Sequence, residues 1–377
     1  MSRLAYLDYN AGAPVRPEVV AAMAETLAEP GNPSSVHSAG RRARARMEDA
    51  RAAVAALVGA QPAGVVFTSG GTEANNLVLR GCGRPRLLVS AVEHASVREA
   101  APDAQVIPVD GDGVVDLAAL ERLLAAEAAP ALVSVMLANN ETGVIQPVAE
   151  VARIARAFGA LVHCDAAQGP GRLSVSLSGL DVDFLTLSAH KLGGPAGIGA
   201  LVSANADFPL APILLGGGQE RRRRAGSENL AGIVGFGTSI RLAADIGAEG
   251  DRVKELRDRL ETAVTSRVPG AVVVGAGVAR LCNTTCVALP GVPSQVQVMA
   301  LDLAQVAVSA GSACSSGKVG ESAVLRAMGL EPAVSGSAIR VSLGWGSTAE
   351  DVEMFLSAWC ELARRKGFEV RDAAQAA

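Results

Sequence analysis

The chain has 377 residues, 49% apolar and 19% charged, which is enough to bury one large core and a smaller companion. Lys plus Arg number 34 against 38 Asp plus Glu, a net charge of −4 that argues against a nucleic-acid partner. Its apolar runs are broken by Gly, Pro or charge well short of a membrane span, and its six cysteines are too sparse for a disulfide framework.

Residues 1–10 lack the apolar core of a signal peptide and read as a short strand. Together with the cysteine usage this predicts a cytoplasmic protein. The basic run from Arg41 to Arg46 belongs to an amphipathic helix, with Ala43, Met47, Ala50, Val54 and Leu57 at helical spacing and the arginines on the solvated face. From residue 64 to 203, short β-rich runs alternate with helical stretches. The runs are Val65–Thr68, Arg86–Ser90, Ala131–Leu137, Leu161–Asp165, Asp183–Ser188 and Gly199–Ser203, and helices are expected at Leu117–Ala128 and Val148–Phe158. This is the pattern of an α/β fold, a mainly parallel sheet with helices on both faces.

After residue 250 the pattern changes. A long helix is expected near Asp251, then strands at Ala271–Val274, Thr285–Leu289 and Ile339–Leu343. A last helix is expected after Thr348, where Thr348 and Asp351 resemble a capping box. Residues 15–250 are expected to form a large domain, and 251–377 with 1–14 a smaller α+β domain.

Four places carry chemistry. Phe67 to Glu73 runs from a strand through Gly70 and Gly71 into a helix, offering backbone N–H groups, a positive helix end and the Thr72 hydroxyl to an anion. Asp165 ends an apolar strand, where its carboxylate either meets a positive charge or caps a following helix. Lys191, in Ser188-Ala-His190-Lys191, ends another, as an ion-pair partner or as an amine able to form an imine. An acid, an amine and an anion site at strand ends are together what pyridoxal 5′-phosphate requires. Finally, Cys314 sits in a run of small polar residues from Ser309 to Gly317, which marks an accessible, reactive thiol. Cys164, Cys282, Cys286 and Cys360 read as small core residues in strands or helices, Cys82 lies in a turn, and no metal site is expected.

The motifs extend along nearly the whole chain: Tyr6-Leu-Asp8, Gly31 to Ser35, Thr68 to Asn76, Glu93-His94, Asn139 to Gly143, Asp165 to Gln168, Ser188 to Lys191, Gly216 to Arg221 and Gly311 to Cys314. In this set the chain resembles the cysteine desulfurases of nitrogen fixation and iron–sulfur assembly, which are class V aminotransferases built on fold type I of the pyridoxal enzymes. The resemblance implies that Lys191 holds the cofactor through its amine and that Asp165 faces the ring nitrogen. It implies that His94 stacks on the ring and assists proton transfer, while Asn140 and Gln168 bond near the ring oxygen. Gly71, Thr72, Ser188 and His190 would bind the phosphate, and Ser227 would reach the phosphate of a neighbouring subunit in a homodimer. Arg340 would grip the carboxylate of L-cysteine. Cys314 would take its sulfur as a persulfide and pass it to an acceptor protein, a cluster scaffold or thiolation carrier.

The chain departs from the family pattern in places. Ala11-Gly12-Ala13 stands where two hydroxyls are usual, Arg222 and Arg223 replace a Gly and an apolar residue, and Ala189 and Ala196 replace a Gly and a Lys. A selenocysteine lyase or another class V enzyme is the alternative reading.

Overall fold

The computed structural model describes residues 3–244, 247–311 and 322–371. Strand β1 (Ala5–Tyr6) is followed by helices Pro17–Ala28 and Ser38–Val58. The second helix buries Ala43, Met47, Ala50 and Val54 and half-buries Leu57, so the arginine run lies on an amphipathic helix as expected. Strands β2 (Val65–Thr68), β3 (Arg86–Ser90), β4 (Gln105–Ile107), β5 (Ala131–Ser134), β6 (Leu161–Asp165), β7 (Phe184–Ser188) and β8 (Gly199–Ser203) form one sheet. Its order is β2-β8-β7-β6-β5-β3-β4. Every strand but β8 points the same way, and β8 runs antiparallel to both β2 and β7.

Both faces of this sheet are covered, because alternate side chains along each strand point to opposite sides. Val65, Phe67, Val133, Val162, Leu185 and Val202 enter one cluster, with the helices Ser38–Val58, Val148–Ala157 and Leu230–Ala243. Val66, Leu132, Phe184 and Leu201 enter another, under the helix Gly71–Gly81.

At the outer edge of β2 the buried pair Arg51 and Glu220 completes the backbone bonding. Arg51 Nη1 donates to Val65 O at 2.9 Å and Glu220 Oε2 accepts from the Phe67 N–H at 2.9 Å, while the two side chains join through bonds of 2.7 and 2.8 Å.

Beyond the sheet, β9 (Val272–Val273), β10 (Thr284–Ala288), β11 (Val306–Ala307), β12 (Ser309–Ala310) and β13 (Ala338–Ser342) follow. A four-stranded antiparallel sheet has the order β12-β13-β10-β9, and β1 pairs in parallel with β11. Ala5 and Leu7 join the cluster of Leu260, Ile339, Phe355 and Trp359, which the helices Gly247–Arg267 and Ala349–Arg365 cover. Thr348 and Asp351 form the expected capping box, with the Thr348 N–H donating to Asp351 Oδ2 at 2.8 Å.

Three expectations need correction. The strand expected to reach Leu137 ends at Ser134: Val135 and Leu137 still donate to His163 O and Asp165 O, but the Met136 N–H between them goes to the Glu93 carboxylate. The helix expected near Asp251 is already formed at Gly247, one turn earlier. Cys282 lies half-buried in the turn before β10, not in a strand. Among the described residues, no single helix is long and apolar enough to cross a membrane.

Candidate active site

The loops leaving the carboxyl ends of β2, β3, β5, β6 and β7 converge on a cavity of about 400 Å³, the usual place for a ligand in an open α/β sheet. The anion turn supplies Gly71 and Thr72, and the β6 end supplies Asp165 and Gln168. The β7 end supplies Ser188, His190 and Lys191, and His94, Asn140 and Arg340 complete the wall. Residues expected from the sequence to act together are therefore brought together.

The acid end is organised by a relay of side chains that the sequence reading did not single out. Asp165, 7% exposed, accepts from Asn75 Nδ2 at 2.7 Å and from the Ala167 N–H at 3.0 Å. It caps no helix, since a turn follows β6. Asn75 also donates to Ser96 Oγ at 2.8 Å, and Ser96 Oγ lies 2.8 Å from His94 Nδ1. The Ser96 backbone N–H, which can only donate, points at the same Nδ1 at 3.1 Å. Nδ1 is therefore the acceptor and the proton of neutral His94 sits on Nε2. Asn75 lies one helical turn beyond Gly71, so its facing could have been read from the 3.6-residue period.

At the amine end, Lys191 Nζ donates to the backbone oxygens of Asn10 at 2.6 Å and Ala11 at 3.0 Å. His190 is held neutral, its pKa pushed down to about 4 by burial and by the adjacent charges of Lys191 and Arg172. Arg172 bonds the Gln168 side chain and donates to Lys191 O at 3.0 Å, fixing both neighbours. Arg340, 3% exposed, pairs with Asp8 at 2.7 Å and donates to Asn140 O at 3.1 Å, while its buried Nε has no partner among the described residues.

The turn bearing Asn140 is set by its own motif. Asn139 Oδ1 accepts from the N–H groups of Glu141 and Thr142, and its amide donates to Val92 O. Gly143 closes the turn at φ 78°, where an added Cβ would stand 2.9 Å from Thr284 Cβ.

One expected residue falls elsewhere, and one lies outside the described residues. Ser227 is exposed and lines a separate small cavity with Thr68, Ser69 and Arg224, and Arg224 ties that loop to Glu73 at 2.9 Å. Cys314 lies outside the described residues, although Gly311, three positions before it, lines the main cavity.

Residues 5–355 match the family model described as aminotransferase class-V. The chain belongs to the aminotransferase class-V family. Within that family it is 42% identical to a cysteine desulfurase of Cereibacter sphaeroides, over 93% of each chain. A NifS-like protein from Rickettsia africae superposes with a TM-score of 0.90 at 36% identity, covering 96% of this chain and all 100% of the other. A protein called SspA, solved in complex with cysteine, superposes with a TM-score of 0.79 at 27% identity, over 91% of this chain and 99% of its own. The class-V fold accounts for the mainly parallel sheet and the strand-end site described above.

Proposed function

We propose that this chain is a cysteine desulfurase that converts L-cysteine to L-alanine and holds the sulfur as a persulfide on Cys314. The observation that carries this reading is one cavity lined by Lys191, Asp165, Arg340 and Gly311, the last leading directly to Cys314. The relative solved with cysteine supports the same substrate.

The residues present fit pyridoxal phosphate. Asp165 is a buried carboxylate that no cationic side chain among the described residues pairs with, which suits a protonated ring nitrogen. The helix Gly71–Gly81 starts after a glycine, with no side-chain cap on its first turn, which suits a phosphate. Bound there, the cofactor supplies an electron sink that acidifies the Cα proton of an amino acid and loosens its C–S bond.

The chain's own residues then do the following. Gly71, Thr72, Ser188 and His190 hold the phosphate, and Asp165 keeps the ring nitrogen protonated. Lys191 would hold the cofactor through Nζ, and its amine is the base that moves the proton at Cα. His94 would offer its Nε2 proton to the reacting thiol, and Asn140 and Gln168 would bond the ring oxygen. Arg340 exchanges its contact with Asp8 for the substrate carboxylate, a bidentate pairing. Cys314 thiolate attacks the substrate sulfur; the new S–S bond forms as the C–S bond breaks, the electron pair stays on Cβ, and Cβ gains the thiol proton to give alanine.

Residues 15–250 form the cofactor-holding domain in this reading, and 251–377 with 1–14 the smaller domain carrying the cysteine. The enzyme works in the cytoplasm as a homodimer, with Ser227 reaching the partner's phosphate site, and hands its sulfur to an acceptor protein. Sedimentation of active holoenzyme as a monomer would contradict the dimer.

The central test is Cys314→Ala. The variant is expected to retain cofactor and its spectral response to L-cysteine, and to lose alanine and protein-bound persulfide together. Alanine release at the wild-type rate, with free sulfide, would leave a simple lyase instead.

A further inference from the structure

Glu141 is the third residue of the Asn139–Gly143 turn and is 8% exposed. Its position is fixed from behind, because its own N–H donates to Asn139 Oδ1 at 2.8 Å. In front, Oε2 accepts from Ser322 Oγ at 2.6 Å. The same oxygen lies against Gly311, where an added Cβ would stand 2.4 Å from Oε2 and 3.3 Å from Ser322 Cβ. The residues on either side of 312–321, the segment that contains Cys314, therefore meet at a single carboxylate oxygen.

We propose that Glu141 is a positioning residue for sulfur transfer, bonding Ser322 on one side of the segment that contains Cys314 and abutting Gly311 on the other, from the turn that supplies Asn140 to the cavity. That turn is also the reference for substrate, because Asn140 O accepts from Arg340 Nη1 at 3.1 Å. Gly311 and Ser322, which flank the sulfur-accepting segment in the chain, and the substrate-gripping arginine thus all contact one short turn. A displacement of about 1 Å between nucleophile and substrate is enough to lower a rate a hundredfold, so such a registration matters. Burial pushes the Glu141 carboxyl up to about 7, with Ser322, Arg340, Arg98 and His94 pulling the other way. Gly311 follows from the same geometry, since any side chain there would collide with the carboxylate.

The inference rests on the desulfurase reading, and its test separates the two. Holoenzymes of wild type, Glu141→Ala, Glu141→Gln and Ser322→Ala are compared for cofactor absorbance, KM for L-cysteine, and the single-turnover rate of protein persulfide formation. Glu141→Ala is expected to load cofactor and bind L-cysteine as wild type does, with persulfide formation slowed about tenfold or more. Glu141→Gln keeps an oxygen that can accept from Ser322 and is expected to recover most of the rate, while Ser322→Ala loses part of it. A purely structural role predicts loss of cofactor and KM along with rate, without rescue by Gln, and that result overturns the proposal. So does a wild-type persulfide rate in Glu141→Ala. Wild-type enzyme that forms no alanine from L-cysteine would overturn the desulfurase reading, and the role of Glu141 with it.

Discussion

Glu93 shows how a single buried carboxyl sets a pH window. Its Oε1 accepts from Ser90 Oγ at 2.6 Å and from the Met136 N–H at 2.7 Å, and its buried Oε2 has no partner among the described residues. Burial, with the negative charge of Asp165, pushes its pKa up to about 8 from an ordinary 4.5. Between those values the folded chain binds more protons than the unfolded one, so this stability is full below pH 4.5 and is lost as pH rises through 8. Glu93→Gln keeps the accepting oxygen and removes the titration. It is expected to match wild type in unfolding free energy from urea titration at pH 5 and to exceed it at pH 8.5 by on the order of a few kcal/mol. Equal pH slopes would refute this. His163 works in the opposite direction: buried between Ser134 and Thr186, its pKa is pushed down to about 4, and its contribution is lost as pH falls from 6.5 toward 4. At this scale the sequence is legible where an apolar strand ends on a charged residue, as at Asp165 and Lys191. It is opaque where partners lie far apart in the chain. Asn75 meets Asp165 across 90 positions, and Lys191 meets Asn10 across 181.

Elements were legible wherever one face is apolar or a cap is local. The helix Ala349–Arg365 is announced by both, with Val352, Phe355, Leu356 and Trp359 on its buried stripe and Thr348 capping its start. Thr348→Ala removes the hydroxyl that accepts from the Asp351 N–H and also meets Arg3. It is expected to cost about 1 kcal/mol in a chemical denaturation midpoint without changing the KM for L-cysteine. A change of KM in proportion would mean that the helix is coupled to the site. Strand ends were less legible, since beyond the end of β5 the Met136 N–H is taken by the Glu93 side chain, while Val135 and Leu137 still bond to the backbone of His163 and Asp165. The loop after Gly218 is a further case. Glu220, Arg221 and Arg222 all have φ between 46° and 66°, a left-handed run that composition does not reveal. Arg222 thus occupies, at some strain, a position where the family pattern has a glycine.

For the molecule as a whole, the alternation of strands and helices foretold the mainly parallel sheet, because strands buried on both faces must be apolar throughout. That β8 runs against its neighbours was not foretold; a five-residue apolar strand reads the same in either direction. The same sheet must also end somewhere, and a strand with bare N–H and C=O groups is a template on which another copy can build. At β2 the groups of Val65 and Phe67 are not bare: Arg51 and Glu220 occupy them as a missing strand would. The pair is therefore expected to guard that edge against aggregation. Replacing it with two methionines, Arg51→Met with Glu220→Met, removes the buried charges together and leaves no lone charge, but strips Val65 O and the Phe67 N–H of their partners, at about 1–3 kcal/mol each. The edge, however, is then open. The expected double variant melts below wild type and, well below its own melting temperature, scatters light and sediments as larger species as concentration rises. A double variant as monodisperse as wild type would show that the edge needs no guard.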